Sequence, residues 1–115
     1  MKVLVCGDRN WTDKEKIWWA LYGFPKDTVI VTGGCRGTDT LADEVGQEFG
    51  LKVNIYLADW KGLGKEAGPI RNQTMLEEDR PDLVIAFHSD IKKSKGTKDM
   101  AGRAKKAGIP VVVIR

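Results

Sequence analysis

The sequence is poor in the residues that build metal and disulfide sites: 115 residues hold one histidine and two cysteines, Cys6 and Cys35. There is no CxxC pair and no Cys/His cluster, so the spacing supports neither a zinc centre nor a disulfide framework. No metal site and no resident cofactor are expected. Two isolated cysteines suit a reducing, cytoplasmic setting. Long hydrophobic runs are missing too, since none approaches the roughly 20 residues needed to cross a bilayer, and no membrane partner is expected. The first apolar run, VLVC, meets Gly7 and Asp8 at once, which reads as a strand and not as a signal peptide. Residues 1–115 are expected to form a single domain.

What is present is a soluble, globular composition, with 42% hydrophobic and 30% charged residues. The net charge of +3 is unevenly spread. From Asp90 onward eight lysines and arginines face only Asp90 and Asp99, so the last stretch carries +6 and the first 89 residues −3. A basic end suits a phosphate-bearing partner, although a solvated lysine-rich helix face has the same composition.

Five short aliphatic runs recur: Lys2–Cys6, Thr28–Thr32, Lys52–Tyr56, Leu83–Phe87 and Val111–Ile114. Most are apolar on both faces, as in strands covered on both sides. Between them lie helix-spaced apolar sets: Ile17, Trp18 and Leu21; Leu41, Ala42, Val45 and Phe49; Met100, Ala104 and Ala107. Asp13 stands ahead of the first set. Gly50 and Gly108 sit where left-handed helix caps are wanted, and Pro69 suits a first helical turn. The pattern predicts an α/β fold: one Rossmann-like three-layer domain with a mainly parallel five-stranded sheet.

In such a sheet the loops after the strands emerge at one edge, where ligands bind near the point of strand-order reversal. The unusual residues fall in those loops. Gly7, Asp8 and Arg9 follow the first strand. Gly33, Gly34, Arg36, Gly37, Thr38 and Asp39 follow the second, where glycines permit close backbone approach and a helix N-terminus favours an anion. The spacing is neither GxGxxG nor GxxxxGK[ST], and a plain turn capped by Asp39 or Thr40 explains the same residues. Gly96 and Thr97 open the last helix among lysines, with Thr97 as a simple cap the competing reading. Arg71 and Asn72 are placed in the first turn of a helix, where an arginine opposes the helix dipole and either an anionic ligand or an acidic neighbour would explain it, the ligand being favoured. Trp60 and Trp11 stand in edge loops, where an indole could stack on a base or close over the core. Trp18 is expected in the core, and Trp19 as an exposed contact for a second subunit. His88, beside Ser89 and Asp90, reads as a surface residue, and Cys35 has no adjacent base to make it a nucleophile.

The blocks VTGGCRGTDTLA, AGPIRNQTML and KGTKDM, in this order, resemble the YspA-type branch of the SLOG superfamily across nearly the whole chain. That superfamily includes the Lonely Guy phosphoribohydrolases and, more distantly, the DNA-processing protein A fold. The resemblance implies a Rossmann-like domain, often a homodimer, that binds a nucleotide or nucleotide-derived (ADP-ribose-like) molecule as sensor or sequestering module. Lonely Guy enzymes cleave the N-glycosidic bond of a nucleoside monophosphate with an arginine and a glutamate. Arg71 resembles the first, and Asp99 stands where the second would be, so these two are the catalytic candidates if the chain is an enzyme. Two departures weigh against hydrolysis: Lys92–Lys95 replace the PGG that precedes GT, and an aspartate shorter by one methylene replaces the glutamate. GCRGTD is also similar to the ARGID loop of the DNA-processing fold, which leaves single-stranded nucleic acid as a further partner.

Overall fold

A computed structural model describes residues 1–115. Five strands form one sheet: β1 (Lys2–Gly7), β2 (Val29–Thr32), β3 (Lys52–Ile55), β4 (Leu83–Phe87) and β5 (Val111–Ile114). Their order is β3-β2-β1-β4-β5, and every neighbouring pair is parallel, so the sheet is wholly and not just mainly parallel. The helices are α1 (Lys14–Leu21), α2 (Thr38–Glu48), the single turn α3 (Trp60–Leu63), α4 (Ala67–Asp79) and α5 (Gly96–Lys106).

The alternation of side chains along β1 builds the two cores. Val3 and Val5 point to one face, where they meet Ile17 and Leu21 of α1 and Ala42 and Val45 of α2. Leu4 points to the other, against Met75 and Leu76 of α4 and Met100 and Ala104 of α5. Trp18 packs half-buried at the margin of the first core, while Trp19 is exposed. Ala107 lies beyond the end of α5 and is exposed.

The punctuation has physical causes. Asp13 caps α1 by accepting from the Lys16 N–H at 3.2 Å. Gly50 and Gly108 take positive φ values of 70° and 78° after α2 and α5. The stretch before α4 departs from expectation, because α3 and a 3-10 turn at Gly64–Glu66 lead directly into it. Gly64, at φ 59°, breaks the helical run there. Pro69 is therefore the third residue of α4, and Arg71 and Asn72 lie in its second turn and not its first.

Chain order reverses between β1 and β4. Asp8 follows β1, His88 follows β4, and the Asp8 N–H donates to the Phe87 carbonyl at 2.9 Å across this seam. Such a reversal opens a crevice at the carboxyl ends of the strands.

Candidate functional site

A cavity of about 390 Å³ occupies that crevice, walled by the loops after β1, β2 and β4, by α4 and by the start of α5. Its charged lining is Asp8, Arg9, Arg36, Asp39, Arg71 and Lys95.

Arg71 is the most firmly held of these. Its Nη1 donates to the carbonyls of Gly33 (2.6 Å) and Tyr56 (3.3 Å), and its Nε donates to Asn72 Oδ1 (3.1 Å). Nη2 has no oxygen partner, only the Cys35 sulfur at 3.9 Å, and no carboxylate comes within 4.0 Å of the guanidinium. Gly33 must be glycine for this arrangement, since a Cβ there would collide with the guanidinium. Asn72, buried on α4, also donates to Asp99 Oδ2 at 3.0 Å and so ties α4 to α5.

Asp39 is buried in the second helical position of α2, where its Oδ2 accepts from the Cys35 N–H at 3.0 Å. Burial raises its carboxyl above the usual carboxylate range, against the opposing pull of that bond and of Arg71. Burial, reinforced by Asp39, also holds the Cys6 thiol well above its ordinary value, so Cys6 faces the cavity as a neutral thiol.

Across the seam His88 and Asp8 form a pair. The His88 Nδ1 accepts from the Asp90 N–H at 3.0 Å, which leaves the Nε2 edge, 4.0 Å from Asp8 Oδ2, to carry the proton. The His88 side chain is only 13% exposed. It is a cavity residue and not the surface histidine expected.

The N-terminus of α2 is less open than its glycines suggest. The Thr38 N–H and Oγ1 both donate to the Asp8 carbonyl, at 3.1 and 3.0 Å, and Gly37, at φ 73°, lies flat against the Asp8–Arg9 backbone. Gly37 caps that helix, with Asp39 and Thr40 already inside it. At α5, Gly96 and Thr97 line the cavity, and the cap contact comes from Ser94, whose Oγ accepts from the Thr97 N–H at 3.0 Å. Thr97 itself is buried within the first turn and is not the cap.

A family model described as the YspA, cpYpsA-related SLOG family matches residues 1–62, just over half of the chain. The Gene 61 protein of Mycobacterium phage D29 is 38% identical over 120 residues, covering 96% of this chain and 94% of that protein. The chain belongs to the YspA, cpYpsA-related SLOG family. Its fold is also that of DNA processing protein A from Streptococcus pneumoniae, a solved structure with a TM-score of 0.81 at 21% identity. That likeness covers 99% of this chain and 50% of the larger one, so the chain spans half the length of that neighbour.

On this SLOG fold, ten of the residues singled out from sequence line one cavity: Gly7, Asp8, Arg9, Gly33, Arg36, Asp39, Arg71, Asn72, Gly96 and Thr97. Gly34, Gly37 and Thr38 shape the β2–α2 turn outside its lining. Trp60 also stands outside, packed over Gly68 and with the Arg9 guanidinium 5.7 Å from its ring centroid. Trp11 belongs to the core margin, since its ring lies 5.7 Å from Phe87 and its Nε1–H donates to the Asp13 carbonyl. Asp99 faces away from the cavity, with Oδ2 taken by Asn72 and by Arg103 Nε at 2.9 Å. Sequence reasoning missed His88, Ser94, Cys6 and Asn10 as lining residues. For His88 the available signal was its place immediately after β4 at the reversal point.

Proposed function

We propose that the protein binds a nucleotide or a nucleotide-derived, ADP-ribose-like molecule in the cavity at the carboxyl edge of the sheet, as a sensor or sequestering module. The observation that carries this is Arg71. Two backbone carbonyls and Asn72 fix its guanidinium, yet no carboxylate lies within 4.0 Å of it, buried Asp39 acting on it only from farther off, and Nη2 has no oxygen partner. A preorganised cation with no ion-pair partner, in a cavity that the start of α5 also lines, suits a phosphate, which takes paired N–H donors from arginine and gains from the helix dipole. Asp8 and His88 at the opposite wall supply an acceptor and a donor suited to the hydroxyls or base of the same molecule.

Binding is better supported than N-glycoside hydrolysis. Asp99, which by resemblance stands where the Lonely Guy glutamate would be, serves as a brace between Asn72 and Arg103. Trp19 on α1 and Tyr22 just past its end, exposed and in edge contact, support a homodimer, to be read as molar mass by light scattering before and after Trp19→Ser. Two free cysteines fit a cytoplasmic protein.

The test is a thermal-shift screen with nucleoside mono- and diphosphates, ADP-ribose, NAD and cyclic nucleotides, followed by chromatography of each compound. A compound at 100 times its dissociation constant stabilises the fold by about 2.7 kcal/mol, a shift on the order of 10 °C. A shift with the compound recovered intact is expected. Release of free base would make the protein a hydrolase, and no shift with any compound would refute nucleotide binding.

A further inference from the structure

A second cationic compartment adjoins the first. A groove of about 1120 Å³ runs along the outer face of α5 and shares Ser94 and Lys95 with the nucleotide cavity as a common wall. Its cations are Lys92, Lys93, Lys95, Lys98, Arg103 and Lys106, and its one carboxylate is Asp99. That carboxylate is already held by Arg103 and Asn72, and Lys93 alone of the lysines reaches an acid, Asp90, at 3.9 Å. Lys92, Lys95, Lys98 and Lys106 converge on the groove with no carboxylate within 4.0 Å.

The floor of the groove is low at its centre, where Gly102 lines it. Gly102 lies inside α5, where glycine is unfavourable relative to alanine. The other helix-interior glycines have packing reasons: a Cβ at Gly46 would press on Val53, one at Gly62 on the capping carboxylate of Asp59, and one at Gly68 on Trp60. At Gly102 a Cβ would meet nothing within 4 Å. Nothing in the protein's own packing requires a bare backbone there, and the exposed glycine leaves the helix backbone uncovered at this point of the groove. Lys98 and Lys106 stand four residues to either side of it, on the same stripe.

We infer that the molecule held in the cavity continues as a chain of phosphates past Ser94 and Lys95 into the groove, lying over Gly102 between Lys98 and Lys106. This deepens, and rests on, the nucleotide reading of the cavity. The 11 residues of α5 extend about 16 Å, room for several phosphate groups and more than one needs. A nucleoside polyphosphate and the end of an oligonucleotide share this chemistry.

The experiment is calorimetric titration at 50 and 200 mM salt with AMP, GMP, CMP and UMP, their triphosphates, and 5′-phosphorylated di- and tetranucleotides of the same bases. The extended probes are expected to bind at least about tenfold more tightly than the best monophosphate at 50 mM salt. Each added phosphate contact should steepen the log–log salt slope by about 0.7. The double variant Lys98→Gln/Lys106→Gln should erase the gain and leave monophosphate affinity within about twofold. Gly102→Gln should do the same by filling the floor, and with a better helix former it should melt no lower than the parent. A gain with triphosphates identifies free polyphosphorylated nucleotides as the source; a gain confined to oligonucleotides identifies a nucleic-acid end. Monophosphate binding without any gain, or a gain that survives both variants, overturns the inference while leaving the cavity reading intact. No binding by any probe overturns both.

Discussion

Arg71 Nη1 donates to the Gly33 carbonyl at 2.6 Å, joining the second turn of α4 to the residue that follows β2. The two residues therefore act as one device. Gly33→Ala should push the guanidinium away while leaving the backbone unstrained, because Gly33 does not take a positive φ. Nucleotide affinity should fall about tenfold or more, with melting within a few degrees of the parent. Arg71→Ala should lose a similar amount, and the double variant little beyond either single change, as expected for coupled neighbours. Full additivity in a calorimetric cycle would refute the coupling.

Gly37 and Gly50 share a positive φ but not a neighbourhood. At Gly50 a Cβ meets nothing within 4 Å, so Gly50→Ala should lose only the left-handed strain, about 1–2 kcal/mol. At Gly37 the Cβ would enter the backbone of Asp8 and Arg9, and Gly37→Ala should lose at least about 3 kcal/mol. Urea titrations of the two variants give the comparison directly, and equal midpoints would contradict it.

Asp79, buried at the end of α4, accepts from Lys2 Nζ at 3.0 Å, Tyr56 Oη at 2.9 Å and Asn54 Nδ2 at 3.3 Å. Burial alone would raise its carboxyl, but the bonds from Lys2, Tyr56 and Asn54 outweigh it and hold the group below its ordinary value. A lowered folded value means stability that is fully present above about pH 4 and lost as pH falls through that value. Asp79→Asn should be less stable by about 2 kcal/mol at pH 7 and should lack this part of the acid limb. Asp39 has the opposite sign: its value is raised by burial, so its ionised form costs stability at pH 7 and protonation relieves that cost on acidification. The gap between Asp39→Asn and the parent should be widest at neutral pH and narrow as pH falls. Denaturation midpoints between pH 3 and 8 test both signs.

His88 offers two different edges. His88→Asn can keep an acceptor for the Asp90 N–H but has nothing at the Nε2 position facing the cavity. His88→Gln does the reverse. If Nε2–H meets the bound nucleotide, the asparagine variant should bind about tenfold more weakly while melting near the parent, and the glutamine variant should bind better than it. The opposite ranking would make His88 a brace for the β4 loop only.

The sequence made the sheet legible because its strands are short aliphatic runs rich in β-branched residues and its caps are chemically explicit at Asp13, Gly50 and Gly108. It misplaced the start of α4 because Gly62 and Gly64 interrupt the apolar spacing that signals a helix. Ten lining residues were visible as oddities in edge loops. His88 was not, since its partner Asp8 lies 80 residues away and only the β1–β4 pairing brings them together. The closure of the α2 N-terminus by the Asp8 carbonyl was equally illegible, because a backbone oxygen leaves no trace in composition.

The central place of β1 also sets the order in which the molecule can be assembled. Residues 1–62 contain β1, β2 and β3, already adjacent in the final sheet, along with α1 and α2 that cover one side. The crevice needs α4, β4 and α5, which arrive only from residue 67 onward, and β4 pairs with β1 across the greatest separation in the sheet. Long-range parallel pairing is slow because the loop must close before its contacts form. During synthesis the chain therefore displays Arg9, Gly33 and Arg36 on a half-built sheet that has no pocket, and the cavity closes only once the second half of the chain has folded onto β1.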